Sequence, residues 1–252
     1  MNPNSPANPE DKVAIVTGAA RRIGAAIVGA LHNEGMRVAI HYRHSGDEAN
    51  TLCARLNAAR AGSAACFRAD LIEEGAPARL LDEVMTWAGS LDLLVNNASS
   101  FYPTPLGSID EAAWNDLVGS NLKAPLFLSQ AAAPALRASR GSIVNIVDIH
   151  ARRPLKDHHV YGAAKAGLIM LTRSLAKSLA PEVRVNAIAP GAIEWPEYGM
   201  SDDIKSAILG QIPLGRPGSP SDIATAVLFF ARDATYSTGQ VIAVDGGRSI
   251  GW

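Results

Sequence analysis

Cysteine is nearly missing from this chain: Cys53 and Cys66 are the two thiols in 252 residues. Two thiols exclude a disulfide framework. With no CxxC pair and no His cluster at zinc spacing, a structural metal site is excluded as well, and two buried thiols in a reducing compartment are expected. Charge of one sign is also lacking: 23 Lys and Arg stand against 24 Asp and Glu, a formal net charge of −1. No overall basic field exists to hold nucleic acid or an anionic membrane, and the pairs Arg21-Arg22 and Arg152-Arg153 are isolated. No apolar run reaches the roughly 18 residues that span a bilayer. Residues 1–10 have neither the basic start nor the apolar core of a targeting signal. Gly (22) and Pro (15) are too few for a collagen-like or low-complexity chain. A soluble, cytoplasmic protein is expected, with a disordered tail over residues 1–10 and one domain over 11–252.

What is present is an alternating pattern. Short apolar runs at 12–17 (KVAIVT), 37–42 (RVAIHY), 64–68, 91–95 (LDLLV), 142–147 (SIVNIV), 184–188 and 240–244 read as strands. Between them, 22–33, 47–59, 76–87, 110–137, 161–179 and 220–231 read as helices; in the first, Ile23, Ile27, Val28 and Leu31 recur at helical spacing. Strands that are apolar throughout are buried on both faces. Strict alternation therefore predicts an α/β, single-domain Rossmann fold: a doubly wound seven-stranded parallel sheet with helices on both faces. Such sheets bind ligands at the carboxyl ends of their strands, where strand order reverses.

The chemistry-bearing residues fall at those ends. After the first strand comes TGAARRIG, in which Gly18 permits a tight turn and Gly24 lets helix approach strand, while the helix N-terminus offers amides to a pyrophosphate. A guanidinium at Arg22 is suited to phosphate or to an anionic substrate. The second strand ends His41-Tyr42-Arg43-His44-Ser45, with no carboxylate before Asp47. An acid there would accept from the ribose 2′-hydroxyl of NAD; Tyr42, Arg43, His44 and Ser45 instead suit a 2′-phosphate, so NADPH is the expected cofactor. Tyr161 and Lys165 form a YxxxK pair, which stacks both side chains on one helix face. A nearby ammonium is expected to lower the phenol's pKa and ready it for proton transfer.

These motifs together resemble the short-chain dehydrogenases/reductases across residues 11–252. Further matches are Asn96-Asn97-Ala98-Ser99, Ser120-Asn121, Pro190-Gly191 and Asp245-Gly246-Gly247. The resemblance implies that Gly18, Ile23, Gly24, Asp70, Leu71, Asn97, Ala98, Lys165, Pro190 and Gly191 bind the dinucleotide, with Asp70 on the adenine amine. It also implies that Asn121 orders a water toward Lys165 in a proton relay. The chain departs from the family pattern where a Ser is usual thirteen residues before the Tyr: here stands Asp148. A carboxylate repels a developing alkoxide, so ketone reduction is poorly served, whereas a C=N bond must gain a proton as hydride arrives. Arg22, Ser99 and Asp148 at their positions, together with NNASSFYPTPL and HYRHS, resemble the pteridine reductase group. That resemblance implies Phe101 stacked on a flat pterin, with Arg22, Ser99, Asp148 and Tyr161 as substrate contacts. It also implies catalysis by Asp148, Tyr161, Lys165 and Asn121, action on CH–NH groups, and a homotetramer with no metal. A carbonyl reductase of 3-oxoacyl type is the alternative; an idle dinucleotide-binding scaffold would not need the Tyr161, Lys165 and Asn121 trio. His150, His158 and His159 read as loop residues, and residues 194–200 as either the start of a substrate loop or a segment whose aromatics pack against the sheet; the resemblance to related tetramers implies Trp252 as a wall of a neighbouring subunit's site.

Overall fold

The computed structural model describes residues 12–195 and 200–250; the expected tail at 1–10, the tip of the 194–200 loop and Trp252 lie outside the described residues. In chain order the elements are β1 (Val13–Val16), α1 (Arg22–Asn33), β2 (Arg37–Tyr42), α2 (Gly46–Ala59), β3 (Ala64–Arg68), α3 (Ala76–Ala88), β4 (Leu93–Asn96), α4 (Glu111–Val118), α5 (Ala124–Ser139), β5 (Ser142–Ile146), α6 (His159–Leu179), β6 (Arg184–Pro190), α7 (Asp202–Leu209), α8 (Pro220–Leu228) and β7 (Val241–Val244). The strands form one sheet in the order β3-β2-β1-β4-β5-β6-β7, every neighbouring pair parallel. The chain starts in the middle, winds out to β3, then returns to β4 and winds the other way. The reversal between β1 and β4 opens the crevice in which such sheets hold ligands.

Burial on both faces explains the apolar runs. Ala14 and Val16 of β1 pack with α1, α2 and α8 on one side, and Ile15 between them packs with α3, α5 and α6 on the other. Two sheet asparagines and a helical threonine link these layers inside the core. Asn96 Nδ2 donates to Asn145 Oδ1 at 2.8 Å, and Asn145 Nδ2 donates to Thr172 Oγ1 of α6 at 2.9 Å. All three residues are buried, so β4, β5 and α6 are joined by bonds that water cannot replace.

The structure corrects several expectations. The single helix over 110–137 is two helices joined by a π turn at Gly119–Lys123, where Ala124 N–H reaches back five residues to the Gly119 carbonyl. One inserted residue widens the turn, and apolar periodicity does not report it. The helix expected over 220–231 likewise ends in a π turn at Phe229–Asp233. Helix α7 was not expected at all; it buries no residue and so leaves no apolar stripe to read. Cys53 and Cys66 are half-buried free thiols rather than fully buried ones, donating to the Ala64 and Ala49 carbonyls. Among the described residues no helix is long and apolar enough to cross a membrane.

Candidate active site

A cleft of about 470 Å³ opens at the β1/β4 reversal. Gly18, Arg22, Ile23 and Gly24 line it from the first loop, Tyr42, Arg43, His44 and Ser45 from the end of β2, Asp70 and Leu71 from beyond β3, and Asn97, Ala98 and Ser99 from beyond β4. The glycines are needed for closeness. Gly18 adopts φ +60°, and a Cβ there would lie 2.9 Å from Ala98 Cα. A Cβ on Gly24 would lie 2.8 Å from both Ala19 Cα and Asn97 Nδ2. The Asn97 side chain is committed to this turn: its amide donates to the Thr17 carbonyl at 2.8 Å and to the Gly18 carbonyl at 3.0 Å. Thr17 Oγ1 in turn accepts from the Asn97 and Ala98 amides, both at 2.9 Å. Pro190 and Gly191 sit apart from these linings, at the end of β6, where a Gly191 Cβ would collide with Asp245.

His41, next to residues singled out by sequence, proves to be the latch of this loop. Gly18 N–H donates to His41 Nδ1 at 3.1 Å, so the ring proton sits on Nε2 and faces the Ala69 carbonyl at 3.1 Å. Burial pushes the His41 pKa down to about 4, against smaller upward pulls from Ala69 and Asp70. The ring is therefore neutral near pH 7 and keeps Nδ1 free to accept.

The arginines at the cleft carry carboxylate partners that a sequence does not reveal. Arg22 adopts φ +51°, and its Nε lies 3.4 Å from Glu194 beyond β6. Arg43 pairs with Asp70 at 2.9 Å and with Asp116 at 3.3 Å, while its Nε is buried with no acceptor. Asp70, expected to face adenine, thus spends one oxygen on Arg43 and the other on the Ile72 N–H at 3.2 Å. Ser45 makes no cap on α2 with its hydroxyl.

At the end of β5 the Tyr161 hydroxyl donates to Asp148 Oδ2 at 2.7 Å, and His150 N–H donates to Asp148 Oδ1 at 2.7 Å. Lys165 is buried, donates to the Ile146 carbonyl at 2.9 Å, and places its Nζ 5.7 Å from the Tyr161 ring centre. The expected lowering of the phenol's pKa is overturned. Burial and, after it, the adjacent Asp148 carboxylate hold it above its ordinary value. Burial brings Lys165 down to about 8, with Asp148 pulling the other way.

Phe101 stands half exposed at this centre, edge-on to Tyr161 with ring centres 4.8 Å apart. It stacks on His158, which was read as a plain loop residue, at 4.7 Å and 21°. Asn121, buried within the π turn, accepts from Ser99 Oγ at 2.8 Å and donates to the Ser100 and Leu117 carbonyls at 2.9 and 3.0 Å. Its described bonds go to Ser99 and its own surroundings rather than toward Lys165. Arg248, missed in the sequence, is held by Gln211 Oε1 at 3.2 Å and feels the charges of Asp148 and Asp245. Among the described residues no three His, Cys, Asp or Glu side chains gather to hold a metal ion.

A glycine turn at the switch point, one strand away from a buried Tyr–Lys pair, is the working layout of a nucleotide-dependent oxidoreductase. The chain belongs to the short-chain dehydrogenase/reductase family, whose members use a nicotinamide cofactor: the family model described as enoyl-(acyl carrier protein) reductase matches residues 18–249. Pteridine reductase 1 of Leishmania tarentolae is 38% identical over an alignment of 285 residues, covering 96% of this chain and 98% of that protein. The 3-oxoacyl-[acyl-carrier-protein] reductase FabG of Staphylococcus epidermidis is 39% identical, with 94% of this chain and 98% of that protein covered. The FabG of Staphylococcus aureus is 39% identical, with 94% and 97% covered.

Proposed function

We propose that this protein is an NADPH-dependent pteridine reductase, adding hydride and a proton across a C=N bond of a dihydropterin. The observation that carries the reading is the 2.7 Å hydrogen bond from Tyr161 to Asp148. A carboxylate in that place repels the alkoxide of a ketone reduction, yet accepts readily from the N–H edge of a heterocycle. Reduction of C=N forms one C–H and one N–H bond. A bound nicotinamide supplies the hydride; the proton on nitrogen comes from the Tyr161–Asp148 pair, which regains one from water. A phenol held protonated is the form that a reduction consumes, which agrees with the upward push on Tyr161. Lys165 fixes the end of β5 and holds positive charge beside the pair. Phe101, exposed and adjacent to Tyr161, offers a flat face for a planar ring.

The cleft suits NADPH. Where NAD would need an acid on the ribose, β2 ends in Arg43, His44 and Ser45, and the buried Arg43 Nε has a proton with no acceptor. A 2′-phosphate supplies one. We extend the proposal to a cytoplasmic homotetramer: the free thiols suit a reducing compartment, and Trp114, Phe127 and Met170 expose apolar surface on α4, α5 and α6.

The similar identity of the FabG proteins, 39% against 38%, favours one other reading, reduction of a 3-oxoacyl ketone. Initial rates of NADPH oxidation with dihydropterins, dihydrofolate and 3-oxoacyl thioesters decide between them. Turnover with dihydropterins well above that with the thioesters is expected; the reverse order overturns the proposal.

A further inference from the structure

We propose that Glu194 is a built-in counter-ion that competes with the dinucleotide for Arg22 and so limits how tightly the cleft holds its cofactor. Arg22 opens α1 and lines the cleft, and Glu194 lies in the segment that follows β6. Their ion pair, 3.4 Å long, ties the segment after β6 to a residue that lines the cleft. Both residues adopt left-handed backbone, φ +51° and +57°, which residues with a side chain seldom do. Left-handed backbone at both ends of one contact is a costly way to make an ordinary surface salt bridge, and so marks the contact as functional.

The backbone holds Glu194 in place. Its N–H donates to the Gly218 carbonyl at 3.0 Å, and Ile193 bridges to Gly218. Arg21, next in the same loop, has a separate partner in Glu48 at 3.5 Å, so the Glu194 charge acts on Arg22. A pyrophosphate at the α1 N-terminus brings negative charge to this rim. Glu194 already balances part of the Arg22 charge through Nε, so a phosphate gains less from the guanidinium and meets the carboxylate nearby as a like charge. The inference rests on the dinucleotide reading but not on the identity of the substrate.

The test is a double-mutant cycle on equilibrium binding, with NADPH and NADH as probes and their fluorescence as readout. Exposed ion pairs are weak, so Glu194→Gln is expected to tighten both nucleotides about two- to fivefold. The gain should vanish at high salt. Arg22→Ala should weaken both nucleotides, and in that background Glu194→Gln should have no effect. Unchanged or weaker binding by Glu194→Gln overturns the inference, as does tightening that persists without Arg22. Arg43→Ala is the control: it should weaken NADPH well beyond any effect on NADH, because only NADPH carries a 2′-phosphate for Arg43. Failure of wild type to bind either nucleotide would instead defeat the cofactor reading, and equal binding of both would defeat only the preference for NADPH.

Discussion

Asp148 presents two oxygens, and each has a donor: the Tyr161 hydroxyl on one side and the His150 amide on the other. The second bond closes a short turn over Ile149–Ala151 and fixes where the first can point. The resemblance to the family placed Asp148 and Tyr161 in one site, because a Ser is usual there thirteen residues before the Tyr. It did not give the sign of the effect on the phenol, which depends first on how deeply the hydroxyl is buried and then on the carboxylate in contact with it. Asp148→Asn keeps the shape and removes the charge. It is expected to lower kcat for a dihydropterin about a hundredfold, the ordinary worth of a positioned acid–base group, with KM changing less. Asp148→Ser should lower it similarly. A Ser variant that turned over dihydropterins as fast as wild type would remove the carboxylate from the mechanism.

Elements with a strong apolar period were readable: α1, β2 and β3 fall on the expected boundaries. The turn at Gly119–Lys123 and the exposed α7 were not, one because a single inserted residue has no compositional mark, the other because it buries nothing. Ion pairs at the cleft arginines were equally silent, since Arg22 with Glu194 and Arg43 with Asp116 join residues far apart in the chain. A close approach at Gly24 was foreseen between helix and strand, and the structure places it against the loops that follow β1 and β4. A methyl there would press on Ala19 and Asn97 at 2.8 Å. Gly24→Ala is expected to cost about 1–3 kcal/mol, the usual penalty of overpacking, seen as a lower urea midpoint. NADPH affinity should fall at least tenfold as the turn is forced outward. A variant with wild-type midpoint and affinity would show that the loop has slack.

At the scale of the whole molecule, buried neutral His41 ties folding to acidity. An unfolded histidine takes its proton near pH 6.5, while the folded one resists until about 4. Between those values the unfolded chain binds more protons, so stability falls as pH drops and is fullest above 6.5. At 1.36 kcal/mol per unit the loss is on the order of 3 kcal/mol. Thermal unfolding from pH 7 to pH 4 should show it, and His41→Gln, which cannot titrate, should flatten that limb; a parallel decline in both proteins would assign the effect elsewhere. The ladder Asn96–Asn145–Thr172 acts on motion rather than acidity. Like a pawl in a ratchet, it stops α6 from sliding or rolling by one residue, because any slip strands an amide in a dry interior. The lysine about two turns and the tyrosine about three turns up that helix are thereby indexed to the sheet.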